Sequence, residues 1–361
     1  MPCHKLHFKA HVNNLVANIA GAAPVTDPRL VNAWGIVTYG NTLWVAANDN
    51  GTILNYDLNG TILPTAIVVP GGAPTGIIVN RTTNFLITNG PVTLPATFLI
   101  ATENGIIAGY NAAVDPVNAI TVIDRSGVGA VYTGIAIANN QIYATDFYNR
   151  RIDVFNANYA LLTGFMFADL VYRNNIPADF APFNIANLHG RLYVTYAKQN
   201  PDNLAEDLPG AGNGYINIYD YNGLFVRRFA SNGDLNSPWG LAFAPENFCD
   251  AACNLLVGNF GDGTINAHDH CGKFHGQLRD KCGKVIVIDG LWGLIVYKQR
   301  LYFAAGPADE ANGLVGVITD KKFRKPKIAP VINSFDEDSE DSFTKYNYYD
   351  NYNFSGCSCY Y

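Results

Sequence analysis

Residues 132–156 read YTGIAIANNQIYATDFYNRRIDVFN, in which short apolar runs alternate with turn-forming residues. It contains three short apolar runs, GIAIA, QIYAT and RIDVF, which are separated by Asn-Asn and by Asp-Phe-Tyr-Asn-Arg. Short runs rich in Ile, Val, Tyr and Phe and bounded by Asn, Asp or Gly are typical of β-strands joined by tight turns. The stretch therefore predicts three consecutive strands of one antiparallel sheet.

The first of these runs recurs along the chain in the form x-Gly-[Ile/Leu]-x-[Val/Ala/Phe]. The copies are NAWGIVTY around Gly35, APTGIIVN around Gly76, VYTGIAIA around Gly134, APFNIANL around Asn184, SPWGLAFA around Gly240 and GLWGLIVY around Gly293. Their spacing ranges from 41 residues, between Gly35 and Gly76, to 58 residues, between Gly76 and Gly134. Such a period is typical of propeller blades with four strands each. Six copies predict an all-β, six-bladed β-propeller.

The last blade supplies only three strands before the sequence turns basic at residues 321–327 and then acidic. Residues 13–20 precede a Pro-containing segment, as the outer strands of the other blades do, so we expect them to complete blade six. Strands from both ends of the chain would then close the ring and remove an exposed sheet edge.

This closure predicts three parts of the chain. They are an N-terminal extension over residues 1–12, the propeller over residues 13–320, and a basic linker followed by an acidic, Tyr-rich tail over residues 321–361. The tail has no apolar period, so it is predicted to be disordered. Its Tyr residues, with Cys357 and Cys359, make attachment to a neighbouring chain an alternative to a purely solubilising role.

Residues 132–156 resemble an NHL repeat in the Gly-Ile-Ala strand, in the Tyr-Ala-Thr-Asp end of the second strand and in the return strand. More broadly, residues 14–319 resemble a family of uncharacterised bacterial propeller proteins, many of which carry PEP-CTERM-type sorting tails for export. The matching phrases include VTDPRLVNAWGI, SPWGLAFAPENF, LLVGNFGDGTINA and LYFAAGPADEANGL. The resemblance implies the propeller fold and an exported protein. It implies no established reaction, so no catalytic residue follows from it.

Composition and charge exclude several classes of protein. A net charge of −6, without a Lys/Arg-rich stripe, argues against a nucleic-acid-binding protein. No segment has the roughly 18–20 apolar residues of a membrane span. The start of the chain lacks the apolar core of a standard signal peptide. We expect an extracellular or virion-surface location reached without that signal, and the cytoplasm is the alternative.

The residue before each repeat Gly or Asn defines a ring of candidate ligand-binding positions around the propeller axis. These positions are Trp34, Thr75, Thr133, Phe183, Trp239 and Trp292. Indole rings at a channel mouth could stack on a sugar or another flat ligand. The alternative is that the aromatic side chains pack between neighbouring blades, where large apolar rings contribute most to stability.

Acidic side chains are predicted on the same face, mainly in the turns between second and third strands. The candidate Ca²⁺ ligands are Asp49, Glu103, Asp146, Asp262 and Asp309, and Glu310 follows the last of them. Ca²⁺ takes six to eight oxygen ligands, which such a ring could supply. Asp and Asn also form turns by bonding to their own backbone, and this is the alternative. No nucleophile elbow or zinc-protease motif occurs, so no catalytic residue is assigned.

Blade five holds an unusual group of Cys and His residues. Cys249 and Cys253 lie in its first loop, and His270 and Cys271 lie in a later turn predicted at the same end of the blade. A disulfide, free thiols and a tetrahedral zinc site all remain open for these four residues.

The leading functional hypothesis is a non-enzymatic binding or scaffold protein. It would present its loop-rich face to a protein or glycan partner, as a surface or virion component. The alternative is a Ca²⁺-dependent lactonase or esterase that works at the central channel, which rests on the acidic turns and on analogy with other six-bladed propellers.

Overall fold

The computed structural model describes residues 10–165, 167, 176–245, 248 and 251–320. The regular structure within these residues is almost entirely β, with a 3₁₀ turn at Ser126–Val128. Six sheets surround a common axis, and the first strand of each sheet contacts the first strand of the next around a closed ring. The predicted six-bladed β-propeller is confirmed.

The strands follow one another through the blades in chain order. The described chain starts with β1 (His11–Ala17) and β2 (Val25–Thr26), which belong to blade six. Blade one contains β3 (Ala33–Tyr39), β4 (Thr42–Ala47), β5 (Thr52–Asp57) and β6 (Ile62–Val68). Blade two contains β7 (Pro74–Val79), β10 (Phe98–Thr102), β11 (Ile106–Tyr110) and β12 (Ile120–Asp124), with β8 (Leu86–Asn89) and β9 (Val92–Pro95) as a separate hairpin after β7. Blade three contains β13 (Tyr132–Ala138), β14 (Gln141–Asp146), β15 (Arg151–Asn156) and β16 (Leu161–Leu162).

The remaining blades follow the same order. Blade four contains β17 (Phe180–Leu188), β18 (Arg191–Asn200), β19 (Asn203–Asp207), β20 (Gly214–Tyr219) and β21 (Phe225–Ser231). Blade five contains β22 (Pro238–Phe243), β23 (Leu255–Asn259), β24 (Ile265–His268) and β25 (Phe274–Gln277). Blade six is completed by β26 (Leu291–Tyr297), β27 (Arg300–Ala305) and β28 (Leu314–Thr319).

Blade six is closed by strands from both ends of the propeller, as the sequence predicts. Strand β1 pairs antiparallel with β28, from Val12 opposite Ile318 to Ala17 opposite Leu314. The strand begins and ends a few residues earlier than predicted, and β2 adds a short parallel strand outside it. Val16 is fully buried, so apolar burial as well as the backbone ladder holds the ring closed. The predicted tail over residues 321–361 and most of the predicted N-terminal extension lie outside the described residues.

Blade four has a long second-to-third connection within residues 199–220, where the Pro and Gly residues predict no regular structure. The prediction is wrong at its start, because β19 pairs antiparallel with the end of β18. Pro201 and Asp202 occupy the turn, so proline removes no ladder hydrogen bond from the strand that follows. We call residues 198–208 the blade-four hairpin.

The repeat glycines mark the closest approach between neighbouring blades. A Cβ built on Gly35 would lie 2.5 Å from the carbonyl oxygen of Thr75, and one on Gly293 would lie 2.5 Å from that of Trp34. Side chains are excluded there because the neighbouring backbone occupies the space. Blade four has Asn184 at this position, and its Nδ2 donates to the carbonyl oxygen of Trp239 at 2.8 Å.

Candidate functional site

An aromatic plug fills the axis of the ring. We use this name for Trp34, Phe183, Trp239, Phe260 and Trp292. The Trp292 ring stacks on Trp34 and on Phe260, at centroid distances of 3.6 and 3.8 Å, and meets Trp239 edge to face at 5.8 Å. The three indoles are 2–5% exposed. The rings therefore pack on one another as interior side chains do.

The predicted ring positions are all buried, and three of them form hydrogen bonds from one blade to another. The hydroxyl of Thr75 donates to the carbonyl oxygen of Tyr132 at 2.7 Å, and that of Thr133 donates to Phe183 at the same distance. The indole nitrogen of Trp239 donates to the carbonyl oxygen of Thr133 at 3.1 Å. A flat ligand would reach these side chains only by displacing the plug, and their ligand-binding role stays a prediction.

Four carboxylates gather over one end of the plug. They come from the second-to-third connections of blades one, two, four and six, and we call them the carboxylate cluster: Asp49, Glu103, Glu206 and Glu310. The indole nitrogen of Trp292 donates to Oε1 of Glu310 at 3.2 Å, which connects the cluster directly to the plug. The cluster therefore marks the centre of the loop-bearing face.

Burial and the neighbouring negative charges raise the pKa values of Glu103 and Glu310. Burial raises the pKa of Glu310 to about 7, and the negative charges of Glu103 and Asp49 add to this effect. Burial also raises the pKa of Glu103, helped by the charges of Asp49 and Glu206 and opposed by a 2.8 Å hydrogen bond from Asn48. Crowded acids of this kind favour a bound proton, a cation or a cationic group of a partner.

The five predicted Ca²⁺ ligands do not all meet. Asp49 and Glu103 lie in the carboxylate cluster, whereas Asp146 is fully buried and accepts hydrogen bonds from Val131 and Asn149 within blade three. Asp262 caps its own turn through Thr264 and also accepts from Asn236, and Asp309 is exposed. In the described part of the chain, no group of three or more His, Cys, Asp or Glu residues is arranged as a metal site.

Sequence analysis missed Glu206 and gave Glu310 a minor place. Glu206 belongs to the blade-four hairpin, whose extended structure carries it from its own blade toward Glu103. The acidic pair at 206–207 was visible in the sequence, but its position over the axis depends on how the hairpin folds. Glu310 adjoins Asp309, and only the contact with Trp292 distinguishes the two.

The blade-five group is only partly described. Cys271 is disulfide-bonded, which removes its thiolate as a zinc ligand. Cys249, the first candidate partner, lies outside the described residues. Cys253 is half-buried, and the backbone carbonyl of His270 accepts a hydrogen bond from Arg227.

In the described part of the chain, no helix has the length and apolar composition that crossing a bilayer demands.

The ring of six radial sheets around a plugged axis defines the protein as a six-bladed β-propeller. Solved structures share this fold at low sequence identity. A streptogramin B lyase has a TM-score of 0.50 at 14% identity, with 86% of this chain and 97% of that chain covered. A protein of unknown function from Bacteroides thetaiotaomicron has a TM-score of 0.57 at 12% identity, with 86% and 76% covered. Virginiamycin B lyase from Staphylococcus aureus has a TM-score of 0.50 at 13% identity, with 86% and 99% covered. At these identities the likeness concerns the fold alone.

Two proteins of Acanthamoeba polyphaga mimivirus define the family. Uncharacterized protein R648 is 41% identical over 317 residues, which cover 85% of this chain and 79% of that protein. Uncharacterized protein L690 is 39% identical over 317 residues, covering 84% of each. The chain belongs to the family of these mimivirus proteins. No protein-family model matches it.

Proposed function

We propose that the protein is a non-enzymatic binding or scaffold propeller that presents its loop-bearing face to a protein or glycan partner. The observation that carries this proposal is the aromatic plug, whose indoles are 2–5% exposed. The centre of the face is therefore a surface over packed side chains rather than the entrance to an open channel. The carboxylate cluster gives this surface a negative centre, which favours a partner with basic or hydroxyl groups.

A matched pair of charge reversals tests this proposal. Glu206→Lys changes the carboxylate cluster, and Asp202→Lys makes the same change at the turn of the same hairpin. The purified proteins are tested against a glycan array and against surface proteins of purified virus particles. We expect Glu206→Lys to weaken binding at least about tenfold, as for loss of a charged contact, and Asp202→Lys to bind like the unmodified protein. Absence of any binding, or equal binding by both variants, would reject the proposal.

The placement of the protein is part of the same proposal. The mimivirus relatives support a viral origin, and the resemblance to exported bacterial and NHL-repeat propellers supports a location outside the cytoplasm, at the particle surface. The tail over residues 321–361 would serve as a second attachment. Surface labelling of intact particles followed by mass spectrometry tests this placement, and recovery of the protein only from the host cytoplasm would contradict it.

The alternative is a Ca²⁺-dependent lactonase or esterase, and one observation favours it. Glu310 has a pKa near 7 and lies beside Glu103, so a proton acceptor suited to neutral pH stands at the centre of the face. Metal analysis and a panel of lactones and esters test this function. Turnover that depends on Ca²⁺ and is lost in Glu310→Gln would establish the enzyme, and no turnover above buffer would reject it.

A further inference from the structure

Among the described residues, three buried oxygen atoms have no hydrogen-bond partner of good geometry where the blade-four hairpin meets blade five. They are Oε1 of Gln199, Oδ2 of Asp207 and Oγ of Ser237. Gln199 is 3% exposed and Ser237 is fully buried. Buried polar atoms in folded proteins are nearly always paired, with protein, water or an ion. Three such oxygens in one place form a set of acceptors that a bound water or ion would satisfy.

Asp207 lies next to both of the other side chains. Gln199 and Asp207 lie directly opposite each other in the β18–β19 pairing, where antiparallel partners have their Cβ atoms about 4.5–5.5 Å apart on the same side of the sheet. The hydroxyl of Ser237 is close enough to lower the pKa of Asp207, although it does not meet the geometry of a hydrogen bond.

The orientation of the Gln199 amide is fixed by its nitrogen. Nε2 donates to the carbonyl oxygens of Phe147 and Leu204, at 2.9 and 2.8 Å. A flipped amide would place Oε1 against these acceptors, so the oxygen must point away from them. Oε1 is thus held as an acceptor that no donor of the described chain satisfies.

The Asp207 carboxylate has no cationic partner among the described residues. The nearby Lys198 pairs instead with Asp179, at 3.4 Å. Burial is the main cause that raises the pKa of Asp207 to about 6, and the negative charge of Glu206 adds to it. A buried carboxylate without a counter-charge is strongly unfavourable, so either a proton or a cation must neutralise it at neutral pH.

We propose that Gln199, Asp207 and Ser237 bind a hard cation of the Ca²⁺ type. Carboxylate, amide and hydroxyl oxygens are the ligands that Ca²⁺ prefers, and its flexible geometry lets water complete the shell. The ammonium group of a partner is excluded because the three oxygen atoms are buried. With a single carboxylate, the site resembles weak sites with dissociation constants on the order of 10⁻⁴–10⁻³ M. The ion would bridge the blade-four hairpin and blade five. This site does not depend on the proposed binding function.

Calorimetric titration of CaCl₂ into the EDTA-treated and dialysed full-length protein at pH 7.5 tests the site. We expect one Ca²⁺ per chain, and a thermal midpoint that rises by about 2 °C in 10 mM Ca²⁺ through mass action on the folded state. Asp207→Asn should abolish both effects. Ser237→Ala, which removes one neutral ligand, should weaken binding several-fold and provides a second variant if Asp207→Asn does not fold.

Asp202→Asn is the matched control, because it removes the same charge from an exposed position of the same hairpin. It should bind Ca²⁺ like the unmodified protein. The proposal is overturned if the unmodified protein releases no heat of binding, or if Asp202→Asn and Asp207→Asn lose binding equally. It is also overturned if Asp207→Asn raises the midpoint while Ca²⁺ has no effect on the unmodified protein, since the carboxyl group would then be held protonated.

Discussion

Replacing Gly293 by alanine measures how closely the first strands of the ring approach one another. The added Cβ would lie 2.5 Å from the carbonyl oxygen of Trp34 and 2.8 Å from Cγ2 of Ile36. Both distances are well below the optimal separation of about 3.5–4.0 Å. The nearer atom is backbone, so blades six and one must move apart. Overpacking costs roughly 1–3 kcal/mol, and we expect the upper end of that range here.

The assay is thermal unfolding followed by circular dichroism. An unfolding entropy of about 2.1 cal/mol/K per residue, over about 310 residues, converts 3 kcal/mol into a midpoint lower by about 5 °C. Gly127→Ala is the control, because a Cβ on Gly127 meets nothing within 4 Å. It should change stability by less than about 0.5 kcal/mol. Equal midpoints for the two variants would refute the argument that the neighbouring backbone excludes side chains from the repeat position.

Four further predictions concern the plug, the carboxylate cluster, the ring closure and the disulfide. Trp292→Ala should destabilise the fold by about 3–5 kcal/mol, measured by urea unfolding, and loss of glycan binding without loss of stability would show that the indole serves a ligand instead. The folded-state pKa of Glu310 is raised from 4.5 to about 7, so its contribution to stability is present below pH 4.5 and is lost as the pH rises through 7. Glu310→Gln should therefore reduce the decrease in the free energy of unfolding between pH 4 and 8. Deletion of residues 1–20 exposes the edge of blade six and should lower the midpoint and promote association, whereas a stable monomer in light scattering would contradict the closure. Reduction should destabilise the protein by about 2–4 kcal/mol, and Cys271→Ser, but not the exposed Cys282→Ser, should abolish the effect of the reductant.

The architecture was predictable because each blade repeats one local pattern. A Gly, or Asn184 in blade four, recurs within the first strand of each blade, and this recurrence predicts the number of blades. Only blade six lacked a fourth strand in the sequence, so the extra strand predicted at residues 13–20 was assigned to that blade. These inferences needed the order of strands along the chain and no three-dimensional distances.

The insertions were harder to predict. The β8–β9 hairpin turns at Gly90 and Pro91, and Gly at the first position of a two-residue turn is a hairpin signal that the repeat pattern does not include. In the blade-four hairpin, Pro201 and the later glycines argue against a strand in the sequence. The strand forms nevertheless, because Pro201 lies in the turn and the hydrogen-bond ladder stays intact.

The candidate site depended on distances that the sequence does not contain. Glu103, Glu206 and Glu310 are separated by about 100 residues each, and only the ring brings the charges of Glu206 and Glu310 close enough to act on Glu103 or be acted on by it. The same holds for Ser237, which faces Asp207 across two blades. Residue types predicted an acidic face, whereas the pairing of particular carboxyl groups follows from the packing of blades.

The pairing of β1 with β28 has a consequence for synthesis on the ribosome. The first of these strands emerges about 300 residues before its partner, a delay of roughly 15–60 s at ordinary translation rates. During that interval blades one to five can fold from hairpins that lie close together in the nascent chain. The apolar side chains of Leu15 and Val16 stay exposed until β28 has been synthesised. Completion of the last blade is therefore the step most exposed to misassembly between neighbouring nascent chains, and a chaperone that holds the first strand would raise the yield of closed rings.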